Sequence, residues 1–418
     1  MSASEGYRPA DRPPPPLRIA MIGTRGVPAA YGGFETAVEE IGSRLAARGH
    51  VVTVYCRDAT DASRREYAGM RLVHLPALRL KTAETLSHTA FSVVHAITRH
   101  PRPDAAFVFN AANAPFVPLL RARGIPTAVH VDGLEWKREK WGGAGRAYYR
   151  WAERSAVRHA DALIADARGI ADYFASTFGA STRMISYGAP VQTDPVSDRL
   201  HELGLSWKRF HLVVARFEPE NHVDLMIAGY VRSNATLPLV VVGSAPYAAE
   251  YTALVRSRVG GDPRVRLLGG VYDQDLLDQL YAGALDYLHG HSVGGTNPSL
   301  LRAMGAGTAV LAWDVSFNRE VAGDRGRYFD EDASLAALVE AAERRPAEAE
   351  RDGAALREVV RANYRWDAVA SAYETLAGDL RSGVASHANV RLGLEGSPAV
   401  GAPSRRSYSP ARMGGSHP

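Results

Sequence analysis

The feature that most limits what this chain can fold into is an alternation that runs twice. Short apolar runs of strand character are separated by segments whose apolar residues recur at helical spacing. Leu17–Ile22 is the first such run. After it Phe34, Val38, Ile41 and Leu45 mark one helical face, which Gly49 ends. Further strands are predicted at Val51–Tyr55, Arg71–Leu75, Ala105–Phe109, Thr127–Val131 and Ala162–Ala165, with helices between them. The pattern then restarts. Strands are predicted at His211–Ala215, Leu237–Val242, Val265–Leu268, Ala284–Leu288, Thr308–Leu311 and Gly326–Tyr328, with helices at Val223–Ser233 and Asp273–Ala282. Such a series builds parallel sheets with helices on both faces. The fold class is therefore α/β, two doubly wound units in tandem over residues 17–195 and 205–365. A final amphipathic helix is predicted over 366–380.

Composition narrows the classes further. Of 418 residues 46% are apolar, enough for large cores. The single cysteine, Cys56, excludes an intrachain disulfide framework. Apolar runs such as Ala105–Phe109 and Leu239–Val242 fall far short of the ~20 residues that span a bilayer. Arg8 and Arg12 are followed by Pro13–Pro16 and not by a signal-peptide core, so the expected location is cytoplasmic. Residues 1–16 and 381–418 lack an apolar period and read as a disordered lead-in and tail. The first 190 residues hold 25 Lys and Arg against 17 acids, and the rest hold 24 against 28. A basic first half suits an anionic partner, and an anionic membrane surface fits. Nucleic acid is disfavoured, because no stacking platform or recognition-helix pattern accompanies the charge.

In open parallel sheets ligands bind at the carboxyl ends of strands, so the candidate residues follow the predicted strands. The first loop carries Gly23, Gly26, Tyr31, Gly32, Gly33 and Glu35. Its glycine spacing is wrong for a dinucleotide fingerprint, which disfavours an NAD enzyme, but it allows backbone N–H groups to approach an oxyanion. The next, Asp132-Gly-Leu-Glu135-Trp-Lys137-Arg138, offers two carboxylates for hydroxyls or protons and two cations for phosphate. A helix cap followed by a solvated face explains the same residues. In the second half Arg216, Glu218, Glu220 and Asn221 follow a strand and suit a phosphate and a ribose. The segment His289-Gly-His291-Ser-Val-Gly294-Gly295-Thr296-Asn297-Pro-Ser299 enters a helix and makes an anion cradle. His289 and His291 lack a third nearby ligand, so no metal is expected.

These segments resemble the GT-B glycosyltransferases of family 4, the group 1 glycosyltransferases, and within them the bacterial rhamnosyltransferase-like subgroup. The matching motifs are Ile22-Gly-Thr-Arg-Gly-Val-Pro with Tyr31-Gly-Gly-Phe-Glu-Thr, Asp132-Gly-Leu-Glu-Trp-Lys-Arg, Pro219-Glu-Asn, the segment from His289, and Phe317-Asn-Arg-Glu-Val. The resemblance spans about residues 17–380. It implies two Rossmann-like domains facing across a cleft, a donor site in the second, an acceptor site in the first, and a last helix crossing back. It also implies sugar transfer with retention and without metal or cofactor, a nucleoside diphosphate-sugar being the substrate.

On that basis Asp132 and Glu135 are the catalytic candidates. Arg216, Glu220, Gly294, Gly295, Thr296, Asn297, Ser299 and Arg302 are the donor candidates. Gly26, Tyr31, Gly32, Gly33 and Glu35 form the acceptor loop. The partners expected are a nucleotide-sugar and a glycan or lipid-linked acceptor. Two positions depart from the family. Asn221 stands where many members have a diphosphate-binding lysine. Gly294 and Arg302 stand where many have two glutamates. Arg302, leaning back toward its helix N-terminus, either replaces the lysine or marks a weakened site. An impaired sugar-nucleotide or glycan-binding protein is therefore the alternative.

Overall fold

The computed structural model describes residues 15–29, 32–57, 63–78, 83–131, 133–138, 141–244 and 249–391. Of the expected features, Tyr31, Asp132, most of the lead-in and residues 392–418 lie outside them.

The first half contains β1 (Arg18–Ile22), β2 (Val51–Arg57), β3 (Glu66–Tyr67), β4 (Met70–Leu75), β5 (Ala105–Phe109), β6 (Thr127–His130), β7 (Ala162–Ala165) and β8 (Arg183–Met184). Its helices are α1 (Gly33–Ala47), α2 (Glu84–Thr98), α3 (Val117–Ala122), α4 (Gly143–His159) and α5 (Arg168–Phe178). The sheet order is β3-β4-β2-β1-β5-β6-β7-β8, parallel throughout except for β3 against β4. Alternation along β1 sends Ile19 and Met21 to one face and Ala20 and Ile22 to the other. The first pair joins the core under α1; the second joins the core under α2, α3 and α4.

The second half contains β9 (His211–Val214), β10 (Leu239–Val242), β11 (Val265–Gly269), β12 (Asp286–His289), β13 (Ala309–Trp313) and β14 (Arg327–Phe329). Its helices are α6 (Val223–Arg232), α7 (Ala249–Val259), α8 (Gln274–Gly283), α9 (Pro298–Gly305), α10 (Ser316–Ala322), α11 (Asp332–Arg344) and α12 (Pro346–Asn363). The order is β11-β10-β9-β12-β13-β14, all parallel. Strand order reverses between β1 and β5 in one sheet and between β9 and β12 in the other. Crevices open at these reversals, because successive crossovers leave in opposite directions there.

The described residues close with α13 (Trp366–Ser382) and α14 (His387–Arg391). Helix α13 packs against the first sheet. Tyr373 Oη and His130 Nδ1 lie 3.0 Å apart, and Glu374 meets Arg48 at 2.6 Å and His50 at 2.8 Å. One boundary needs correcting. Residues 381–391, assigned to the tail, belong to the fold: Ala385 and Val390 are buried, and the Val390 carbonyl accepts the Ser181 N–H at 2.8 Å.

Candidate active site

Two helix N-termini converge at the crevice. Gly33 opens α1, and a Cβ placed on it would lie 3.0 Å from Cγ of Pro298, the first residue of α9. Asn297 caps α9, its side chain accepting the Ser299 N–H at 3.0 Å, and Pro298 sits where a helix needs no N–H. Unpaired amides and aligned peptide dipoles make each N-terminus attractive to an anion.

The loop that enters α1 is shaped by contacts with its own sheet. Gly26 has φ +109°, and a Cβ there would strike the Cys56 Sγ at 2.5 Å. Gly32, the N-cap, has φ +111°. Glu35 accepts the Arg25 N–H at 3.0 Å and so ties the loop to the first turn of α1.

The loop after β6 crosses to the second half. A Cβ on Gly133 would lie 2.5 Å from the Gly294 Cα, so the two glycines let the backbones touch. Glu135 is buried and meets Arg138 Nε at 2.6 Å. Arg138 Nη1 also lies 3.3 Å from Glu220 and 3.5 Å from Glu218, which itself pairs with Arg216 at 3.2 Å. Arg138, expected to hold phosphate, is thus a cation shared by carboxylates of both halves.

The donor candidates divide by what they already hold. Gly294 has φ +146°, and a Cβ there would meet nothing within 4 Å, so its backbone borders open space. The Thr296 hydroxyl donates to the Asp166 carbonyl at 2.6 Å. The Ser299 hydroxyl donates to Asn297 Oδ1 at 2.7 Å and accepts from Tyr287 at 2.9 Å. Asn221 donates to the Arg216 carbonyl at 2.8 Å, a contact within the loop. His222 stacks on Trp313 with centroids 4.1 Å apart, and its Nδ1 lies 2.7 Å from the Gly290 carbonyl.

Arg302 requires a correction. Its side chain does not lean to the α9 N-terminus. Nε donates to Asp278 and Nη1 to Gln274, both at 2.8 Å, and the guanidinium lies over the Tyr281 ring. A nearby carboxylate and an aromatic face on α8 outcompete the dipole, which repels a cation.

Burial settles the charge state of the histidines. Desolvation pushes His289 down to about 3, and desolvation, His289, Arg216 and Arg138 hold His291 well below the ordinary range. Their rings stack 4.5 Å apart and are neutral. Among the described residues no group of three potential metal ligands comes together.

The strand-end rule also reaches Asp166, just after β7, which the motif reading missed. It is 3% exposed, and its Oδ1 has no hydrogen-bond partner. Burial pushes its carboxyl up to about 7. Two residues on, the Arg168 N–H donates to both carboxylate oxygens of Glu320, at 3.1 Å each.

Residues 208–345 match the family profile described as Glycosyl transferases group 1, and residues 17–190 one described as a domain of unknown function (DUF1972). An O-antigen chain mannosyltransferase B of Escherichia coli is 26% identical over 146 residues, 34% of this chain and 37% of that protein. The GtfA subunit of a UDP-N-acetylglucosamine–peptide N-acetylglucosaminyltransferase of Streptococcus gordonii is 27% identical over 118 residues. Those residues are 28% of this chain and 22% of that protein, so the chain spans little more than a third of the first relative and less than a quarter of the second. A sucrose-phosphate synthase from Thermosynechococcus elongatus superposes with TM-score 0.76 at 20% identity, covering 88% of this chain and all of that one. HepE of Anabaena, solved in complex with UDP-glucose, superposes with TM-score 0.72 at 17% identity, over 87% of this chain and all of that one. Residues 208–345 are therefore similar to the group 1 glycosyltransferases, and the described chain has the GT-B fold.

Proposed function

We propose that this protein transfers a hexose or deoxyhexose from a nucleoside diphosphate to a glycan or lipid-linked acceptor in surface polysaccharide synthesis. Rhamnose is the sugar that the motif resemblance favours. Transfer retains configuration and needs no metal. The observation that carries this reading is the meeting of the α1 and α9 N-termini at the junction of two strand-order reversals. The leaving diphosphate gains negative charge as the bond to the sugar breaks. Donors already aimed at it stabilise that change without reorganising. Here they are the amides around Gly294 and Gly295, the α9 N-terminus and the half-exposed Arg216. The loop at Gly32 and Gly33 faces the acceptor.

The relative that extends an O-antigen chain and the neighbour solved with UDP-glucose support a glycan acceptor and a nucleotide donor. Among the described residues no helix is long and apolar enough to cross a membrane. On this reading the enzyme works in the cytoplasm, against the inner face of an anionic membrane. A second reading, a sugar-nucleotide or glycan binder without turnover, is favoured by the commitment of Arg302 to Asp278.

Calorimetry with UDP, GDP and dTDP, followed by a donor screen with mass detection of transfer to lipid-linked acceptors, tests both. One diphosphate binds, and Arg216→Ala weakens it by about 1.5–3 kcal/mol, the worth of a charged hydrogen bond. Binding without turnover of any donor favours the second reading, and no binding of any diphosphate overturns the enzymatic one.

A further inference from the structure

The outer surface of the α2–α3–α4 layer is unlike the rest of the first half. Helix α4 carries Arg146, Arg150, Arg154 and Arg158, spaced by four, and all four are exposed. Residues four apart lie one above another on a helix, so the arginines form a single column. The one acid of α4, Glu153, is 3% exposed and accepts the Tyr173 hydroxyl at 2.9 Å on the inner side. The column therefore has no exposed acid of its own helix to balance it. Beside it Trp151 is 53% exposed. Further exposed apolar side chains lie on the same layer: Leu119 on α3, and Phe91 and Val94 on α2. These helices all cover one face of the first sheet and share one core.

We propose that this face docks on an anionic phospholipid bilayer. Arginine, tryptophan and aliphatic side chains on one helical layer match the two layers of a membrane interface. Guanidinium groups meet lipid phosphates, while the indole and the alkyl groups enter the boundary of the acyl chains. Val94 and Leu119 favour lipid over nucleic acid, since aliphatic groups offer no stacking plane and an RNA or DNA backbone leaves them in water. The face also reaches the site. Arg150 lies 4.4 Å over the Trp136 ring, in the loop whose Gly133 touches Gly294 and whose Arg138 meets Glu220. A bilayer against α4 thus delivers a lipid-linked acceptor beside the cleft. This delivery role rests on the glycosyltransferase reading; the docking itself does not.

The test is co-sedimentation of the full chain with vesicles of phosphatidylcholine alone and of phosphatidylcholine mixed with phosphatidylglycerol. Wild type binds only the mixed vesicles, and added salt releases it. An arginine near an anionic surface changes partition about fivefold. Arg154→Glu with Arg158→Glu therefore lowers binding at least ~25-fold. Arg344→Glu with Arg345→Glu, an equal charge change on the exposed surface of the second half, leaves binding near wild type. Trp151→Ser weakens binding but keeps its salt dependence. Circular dichroism and diphosphate calorimetry on each variant establish that it is folded. Equal sedimentation with both vesicle types overturns the proposal. So does an unchanged Arg154/Arg158 variant, or a control pair that loses as much. Binding to a DNA or RNA oligomer in place of mixed vesicles overturns it too. Diphosphate binding without vesicle binding removes the docking face and leaves the enzymatic reading, and the reverse result does the opposite.

Discussion

Asp166 and Gly295 touch across the cleft at a distance that no side chain on residue 295 could share. A Cβ there would sit 2.3 Å from the Asp166 Oδ1. With the Thr296 hydroxyl bound to the Asp166 carbonyl, the contact fastens the loop entering α9 to the end of β7. The loop expected to cradle the donor is thus positioned by the first half of the chain.

Gly295→Ala should force that loop and Asp166 apart and weaken diphosphate binding by tenfold or more. Asp166→Ala removes the obstructing carboxylate, so the double variant should lose less than the sum of the two. Calorimetry on all four proteins reads this coupling, which contacting residues are expected to show.

The same contact should respond to pH. Burial raises the Asp166 carboxyl to about 7, so the native arrangement favours its neutral form. That contribution to stability is fully present below the ordinary carboxylate range near 4, and it is lost as pH rises through about 7. Melting temperature from pH 5 to pH 8 should therefore fall more steeply in wild type than in Asp166→Asn, which keeps the shape without the charge.

Arg138→Ala should leave Glu135, Glu218 and Glu220 facing one another without their shared cation. Removing one partner from a buried ion pair costs about 3–5 kcal/mol, and Arg138 and Glu220 are both largely buried. Denaturant unfolding should show a loss of that order. Arg138→Lys should recover part of it, since an ammonium cannot reach three carboxylates as a guanidinium does.

Arg302→Ala should change diphosphate affinity less than twofold, because its side chain is bound to Asp278 and Gln274 on α8. The expected cost is in stability, about 1 kcal/mol for a partly exposed pair and its ring contact. Arg302→Glu should cost more, by setting two carboxylates together. Thermal unfolding beside calorimetry separates the two effects.

Buried parallel strands were the most legible part of the sequence. β5 and β7 match the predicted Ala105–Phe109 and Ala162–Ala165 residue for residue, because strands covered on both faces read as unbroken apolar runs. β3 and β8 have two residues each, too few to show a period. The loops at the crevice were also legible from their positions after strands. What each side chain does there was not. Arg138 and Glu220 are 82 residues apart, and no local pattern pairs them. Thr296 and Ser299 read as hydroxyls for a ligand, yet both donate within the protein. Asp166 stands outside every motif and was reachable only by inspecting each strand end.

The return of α13 to the first sheet has a consequence for how the chain is made. Val369, Tyr373, Leu376 and Leu380 fill the same core as Ile19, Met21 and Phe107. During synthesis the first sheet emerges long before these residues do. Until about residue 382 has left the ribosome, one flank of that sheet stays uncovered, with His130 and Phe107 lacking the tyrosine that packs on them. The first sheet is therefore completed only after the second has been made, and a fragment that stops before α13 should expose a sticky apolar surface.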